Sequence, residues 1–507
     1  MGVAKQAAYF LVHPNELRCI LQWYLWHDPV HKRDPSKETP TEKSCFHYLN
    51  MTSRSFAAVI QELNPELLLP VSLFYLVLRG LDTIEDDMTL DIKVKEPLLR
   101  NFRQHMETDG WTFNGSGPDE KDRDLLVHFD DVIVELKKMK KPYYDIVADI
   151  TTKMGNGMAD YALDAEFNEQ GVQTVKDYEL YCHYVAGLVG DGLTRLFVES
   201  KLANPVLLER ADLTESMGQF LQKTNIIRDI HEDQLDKRRW WPKEIWGKYV
   251  DNWDDLFKPE YQTKALDCSS EMVLNALKHA EECLHYMAGI RDQSVFNFVA
   301  IPQSMAIATL ELVFRNPAIF NSHIKITKGD ACQLMTDSTQ NLRVLCDVFR
   351  KYTRRIAKKN DPRDPNFLAI SATCGKIEQK IDTMYPRQDP KRILAANQPQ
   401  EQEPGMDTSE AIILMLSVVG VLLLVGGLMV RCPLTRFPPI RAVNGAGHSA
   451  LIKQWRFALT SPPLLKIGSA WLLGAKFDAL FQSYDKMIKS GYNTPTGHTL
   501  PTGRDEL

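Results

Sequence analysis

The sequence has 507 residues, 44% of them hydrophobic and 25% charged, with a net charge of −6. Together with a mean hydropathy of −0.28, these figures exclude a disordered chain, a polytopic membrane protein and a basic nucleic-acid-binding surface. Nine cysteines (Cys19, Cys45, Cys182, Cys268, Cys283, Cys332, Cys346, Cys374, Cys432) stand singly with no C-x-x-C pair. That usage fits a reducing compartment rather than a disulfide scaffold or a zinc ribbon.

From the N-terminus onward, Gln6 occupies the place where a myristoylation signal carries Ser or Thr. The apolar run 7–12 is too short for a secretory signal, so a cytosolic start is expected. Apolar residues then recur at three- and four-residue intervals in Asn50–Leu63, Val71–Asp87, Asp145–Phe167, Val175–Glu199 and Ser216–Asp233. This periodicity predicts helices, and no succession of alternating strands appears, so the expected fold is all-α. Breaks are expected at Asp28–Ser44, Asp109–Asp119 and Asp236–Pro242. Gly187 to Gly192 lies inside a helical pattern, where its glycines are expected to permit close helix packing rather than to form a dinucleotide loop.

A helical body over 1–385 is expected to be followed by a flexible linker, 386–410, rich in Pro, Gln, Asp and Glu. Residues 411–430 carry no charge, and at about 1.5 Å per residue such a helix spans roughly 30 Å, enough to cross a bilayer. In the tail, 431–507, the stretch 464–481 could lie along a membrane interface. Arg431, Arg436 and Arg441 place the tail in the cytosol by the positive-inside rule. The terminal Arg504-Asp505-Glu506-Leu507, similar to a lumenal retrieval signal, places it on the opposite side. Both orientations stay open.

Two acidic motifs carry chemistry. Asp82, Glu85 and Asp86 share one helix face, and Asp229, Glu232 and Asp233 share another. Carboxylates at this spacing repel one another unless a cation sits among them. Mg²⁺ takes oxygen ligands and commonly bridges carboxylates to substrate phosphates, so two such faces opposed across a cavity would clamp a diphosphate. Tyr75 and Arg79 precede the first motif on its face, and Gln222 and Asn225 precede the second. Each pair extends a polar stripe along an otherwise apolar helix.

The segments Tyr48–Phe56, Tyr75–Asp87, Tyr181–Gly187, Leu221–Asp233 and Gln293–Gln303 resemble the squalene synthase (farnesyl-diphosphate farnesyltransferase) family, over a stretch from about residue 40 to about residue 345. The resemblance implies a single large helical isoprenoid-synthase-type domain with a central cavity, a C-terminal transmembrane anchor, and a place in the endoplasmic reticulum membrane with the catalytic body facing the cytosol. It implies head-to-head joining of two farnesyl diphosphates to presqualene diphosphate, then reduction by NADPH to squalene, the first committed step of sterol biosynthesis. Asp82, Glu85, Asp86, Asp229, Glu232 and Asp233 would hold Mg²⁺ against the leaving diphosphates. Tyr181 matches the tyrosine proposed as proton acceptor in the first half-reaction.

Arg54, Arg79 and Arg228 are candidate clamps for the diphosphates, the NADPH phosphates or both, since guanidinium binds phosphate bidentately. Asn225, Phe298 and Lys325 occupy cofactor positions of the family. The basic residue usual two places after that lysine is Thr327 here, followed by Lys328. Lys121 is similar to a family segment covering the site, and Gln222 and Tyr75 are candidate substrate contacts. Phe56, Phe296 and Phe298 are candidates to face carbocations. Residues 237–242 resemble the family's flap. The catalytic body is expected to be a monomer with no nucleic-acid partner. The alternatives are a phytoene or dehydrosqualene synthase, which omits the reduction, and a non-catalytic membrane-tethered assembly protein, which would be expected to have lost the carboxylates.

Overall fold

Several helices begin on a side chain that accepts their first free backbone N–H groups. Thr39 forms a capping box with Glu42 at the start of Pro40–Thr52: the Thr39 hydroxyl accepts from the Glu42 amide at 3.2 Å, and the Glu42 carboxylate accepts from the Thr39 amide at 2.7 Å. Asn64 caps Pro65–Asp86 through the Glu66 amide, and Asp292 caps Gln293–Val313 through the amides of Ser294 and Val295. The computed structural model describes residues 9–10, 12–53, 56–164 and 169–386. Among these the architecture is all-α, with no sheet and one isolated antiparallel bridge between Ala203 and Ile290.

Two apolar helices form the centre. Pro65–Asp86 packs against Pro40–Thr52, Phe129–Lys138, Lys141–Leu163 and Leu188–Glu199. Ala211–Arg228 packs against Leu188–Glu199, Gln262–Leu277, Ala280–Met287 and Gln293–Val313. The first carries the first acidic motif, and the second leads into the other. Pro65–Asp86 and Gln293–Val313 are long and apolar enough to cross a membrane, yet most of each is buried in this core.

The structure departs from the expected helices at four places. The helix expected over Asn50–Leu63 ends at Thr52, and a separate turn runs Phe56–Ile60. The break expected over Asp28–Ser44 closes early, because the Thr39 capping box and Pro40 start the helix there. Val175–Glu199 is one helical rod interrupted by a π-helical turn, His183–Gly187. The second-motif helix breaks at Asp229 (φ −93°, ψ 10°) and resumes as Ile230–Leu235. The apolar period continues through these last two places, so the pattern alone could not show them.

The glycines of 187–192 do permit close packing. A Cβ on Gly187 would meet Glu215 Oε2 at 2.3 Å, and one on Gly190 would meet the Thr214 carbonyl oxygen at 3.0 Å. Arg54, the expected linker from 387 onward, and the expected span, tail and terminal tetrapeptide lie outside the described residues.

Candidate active site

The polar stripes lie where buried helices reach solvent. On Pro65–Asp86, Leu73, Phe74, Leu76, Val77, Leu81 and Ile84 are buried, while Tyr75, Arg79, Asp82 and Glu85 are half-buried and Asp86 is exposed. On Ala211–Arg228, Phe220, Ile226 and Ile227 are buried, while Gln222 is half-buried and Asn225 exposed.

The first motif is short of positive charge. Burial raises Asp82 to about 7, Arg79 opposes the rise, and Asp86 and Asp122 add to it. Burial and then the charges of Asp86 and Asp82 raise Glu85 to about 8. Arg79 lies 3.8 Å from Asp82 and 3.5 Å from Asp122, and its guanidinium also donates to the Tyr75 hydroxyl at 3.3 Å. One arginine is therefore shared between two carboxylates. Asp87 does different work: its carboxylate accepts from the Gly117 amide at 2.9 Å and the Thr89 amide at 2.8 Å, pinning the following loop.

The second motif is ringed by bases. Arg228 grips Asp229 with two bonds, of 2.7 and 2.6 Å. His323 Nδ1 pairs with Glu232 and lies 3.6 Å from Asp229. Lys325 lies within electrostatic reach of Arg228, Asp229 and Glu232. Asp233 is 8% exposed, and burial raises it to about 7 against the pull of Arg238, whose guanidinium is 3.5 Å away.

Tyr181 joins the two halves. Burial pushes its phenol well above 10, the charges of Glu85 and Asp86 push the same way, and Arg238 opposes them. Its ring stacks on Trp240 with centroids 4.2 Å apart and meets Tyr161 edge-on at 5.4 Å. Glu85 and Asp86 from the first motif and Arg238, the partner of Asp233, thus converge on one phenol.

The other expected site residues differ widely in exposure. Phe296 and Phe298 are 8% and 6% exposed, and Phe298 packs edge-on against Phe197. Phe56 is 39% exposed. Lys121 is exposed, and the adjacent Asp122 is the residue of that loop that reaches Arg79. Thr327 caps the helix Lys328–Ser338, its hydroxyl accepting from the Asp330 amide at 3.1 Å. Sequence reasoning missed Asp122 and His323, which only the tertiary fold brings to the motifs. For His323 the available signal was its place two residues before Lys325.

Comparison with known proteins gives the family. Residues 49–330 match the squalene/phytoene synthase family, and the chain belongs to it. It is 67% identical over 485 residues to a probable squalene synthase of Neurospora crassa, covering 95% of this chain and 93% of that one. It is 61% identical over 501 residues to a squalene synthase of Gibberella zeae, covering 98% of this chain and 99% of that one. A solved structure described as a complex of TcSQS with the ligand E5700 is 39% identical, with a TM-score of 0.65, covering 68% of this chain and 99% of that chain.

Proposed function

We propose that this protein joins two farnesyl diphosphates head to head into presqualene diphosphate and reduces that intermediate with NADPH to squalene. The observation that carries the reading is the position of Tyr181 between Glu85 and Asp86 of the first motif and Arg238, the partner of Asp233 in the second, in a chain that is similar to squalene synthases over nearly its whole length.

The donor set fits Mg²⁺. Asp82 and Glu85 hold their protons to about 7 and 8 because burial, and then the neighbouring carboxylates, disfavour their charge, and hard oxygen ligands are what Mg²⁺ takes. Ligand atoms of Asp229, Glu232 and His323 lie within 4.8 Å of one another. Since Mg²⁺ favours oxygen, His323 would orient Glu232 from behind rather than bind the ion. Bound at these carboxylates, the metal would stabilise the charge developing on the departing diphosphate.

The remaining roles belong to the chain itself. Tyr181 would accept a proton in the first half-reaction; burial above all, and then negative charge on Glu85 and Asp86, oppose its phenolate, and cations held at those carboxylates would relieve the second of these. Arg79 and Arg228, already seated on carboxylates, would turn to phosphate oxygens when substrate enters, and Arg54 would join them. Tyr75, Gln222 and Lys121 would line the substrate's path. Phe56 and Phe296 would shield carbocations from water. Asn225, Phe298, Arg228 and Lys325 would hold NADPH. Trp240, stacked on Tyr181, would close the site with the rest of the segment 237–242.

The same reading includes a linker over 386–410, a membrane span over 411–430 and a catalytic body facing the cytosol from the endoplasmic reticulum. The test is incubation with farnesyl diphosphate and Mg²⁺, with and without NADPH, and identification of the extracted lipids by mass spectrometry. Squalene with NADPH and presqualene diphosphate without it are expected. A product indifferent to NADPH would assign the chain to dehydrosqualene or phytoene chemistry, and no diphosphate release would leave an assembly role.

A further inference from the structure

Lys223 is fully buried, one residue from Gln222 on the second-motif helix, and takes no part in the chemistry above. A buried ammonium is costly unless it is paired and hydrogen-bonded. Its Nζ donates to Glu179 Oε1 at 3.0 Å and to His279 Nε2 at 2.9 Å. Burial first, and Lys223 and Lys278 next, lower His279 to about 3, so this imidazole is neutral. Nε2 is then the acceptor and Nδ1–H donates to Ser216 Oγ at 3.1 Å. The Lys223 ammonium also lies over the Tyr178 ring at 5.7 Å.

Glu179 and His183 stand two residues before and two residues after Tyr181. Four residues apart on a helical path, they share the face opposite Tyr181. Both are tied to the second-motif helix. Lys223 holds the Glu179 carboxylate, Gln219 Nε2 donates to the Glu179 carbonyl at 2.8 Å and to Glu215 Oε1 at 2.7 Å, and His183 Nδ1 pairs with Glu215 Oε2 at 2.8 Å. Glycine lets the helices come this close. A Cβ on Gly218 would meet the Ala186 carbonyl oxygen at 2.5 Å, in addition to the Gly187–Glu215 approach.

We propose that Lys223, Glu179 and the His183–Glu215 pair are positioning residues that strap the Tyr181 segment to the second-motif helix and so set the place of the Tyr181 hydroxyl relative to the carboxylates. A polar strap suits this job because its bonds fix direction as well as distance, which apolar packing does not. The inference rests on the reading of Tyr181 as the acceptor of the first half-reaction. Loosening the strap then slows presqualene diphosphate formation and spares the later reduction.

The test uses the full-length chain in detergent. Presqualene diphosphate formation from farnesyl diphosphate and Mg²⁺ is followed without NADPH, and squalene formation from supplied presqualene diphosphate with it. Lys223→Met and Glu179→Gln are expected to lower kcat of the first reaction tenfold or more, with KM within twofold and the second reaction within threefold. Glu179 is 45% exposed at its side chain, so its variant gives the readout even if Lys223→Met does not fold. Unchanged first-step turnover in a folded variant, or equal losses in both steps that track a lowered Tm, would overturn the strap. Tyr181→Phe is run alongside. If it retains the first reaction, the reading of Tyr181 fails and the strap's purpose goes with it; if it loses that reaction while Glu179→Gln keeps it, only the strap fails.

Discussion

The ring of Tyr181 lies nearly flat on Trp240, with planes inclined by 20° and centroids 4.2 Å apart. Trp240 belongs to the segment that follows the second motif, so the stack couples that segment to the residue facing Glu85 and Asp86. Aromatic pairs of this kind contribute about 0.5–1.5 kcal/mol beyond their buried area. Trp240→Leu should slow presqualene diphosphate formation by about three- to tenfold, while Trp240→Phe stays near the parent rate. Equal rates for Leu and Phe would show that the stack does not matter.

Asp82 and Asp233, held near 7, and Glu85, near 8, keep protons that the unfolded chain gives up at ordinary carboxylate values. The folded state thus binds more protons than the unfolded state across this window, and metal-free stability falls as pH rises through it. Mg²⁺ binding near pH 7 should release protons and raise Tm most at the alkaline end. Calorimetric titration in two buffers of different ionisation enthalpy checks this, and identical heats would contradict it.

Asp82 and Asp87 should separate activity from stability. Asp82→Asn removes a crowded charge, so the metal-free protein should melt higher at pH 8 while turnover falls about 100-fold or more. Asp87→Asn should cost about 1–2 kcal/mol of stability through its lost loop bonds, with activity following the folded fraction. Denaturant melts beside initial rates distinguish the two.

His323→Ala should leave the fold intact and weaken Mg²⁺ dependence about tenfold, as removal of a partner behind a metal-binding carboxylate does. Activity measured against Mg²⁺ concentration reads the shift. A curve that moves only in its plateau would exclude the orienting role.

The hydrogen bond to Glu215 raises His183 above 6.5, burial opposing it, with Asp191 adding to the rise and Lys153 opposing it. Glu215 sits below 4.5, its burial outweighed by the bonds from His183 and Gln219 and by the charges of His183 and Lys223. The pair's stabilisation is present in full between these ordinary values. It is lost as pH rises through the raised His183 value or falls through the lowered Glu215 value. The difference in Tm between the parent and His183→Gln should be largest between pH 4.5 and 6.5 and shrink on either side.

Helical period exposed the parts of the site that run along one helix. Asp82, Glu85 and Asp86 follow from three- and four-residue spacing, and the polar stripe of Tyr75, Arg79, Gln222 and Asn225 follows from contrast with its apolar neighbours. Groups brought in from other elements left no such trace. Asp122 and His323 sit in loops whose local pattern says only that they are polar. Lys223 left no mark either, because a sequence shows the amino acid and not its burial, and its partners Glu179 and His279 lie 44 and 56 residues away. Asp229 looked helical because the apolar pattern runs on past the break. Asp87 was indistinguishable by composition from the carboxylates beside it, although its oxygens are committed to a loop.

The π-helical turn at His183–Gly187, closed by the Leu188 amide on the His183 carbonyl, stores information in chain length rather than in residue identity. A regular helix turns about 100° per residue, and a π turn accommodates one residue more than an α turn. Running the same residues as a regular helix, without the wide turn, would rotate Tyr181 by roughly 100° about the axis relative to Leu188–Glu199, whereas deleting one residue of 184–187 along with the turn would leave its direction nearly unchanged. A homologue with the same residue count but a regular helix here would keep every carboxylate, arginine and tyrosine in an alignment and still point its phenol away from them. For this helix, counting residues between landmarks is as informative as matching them.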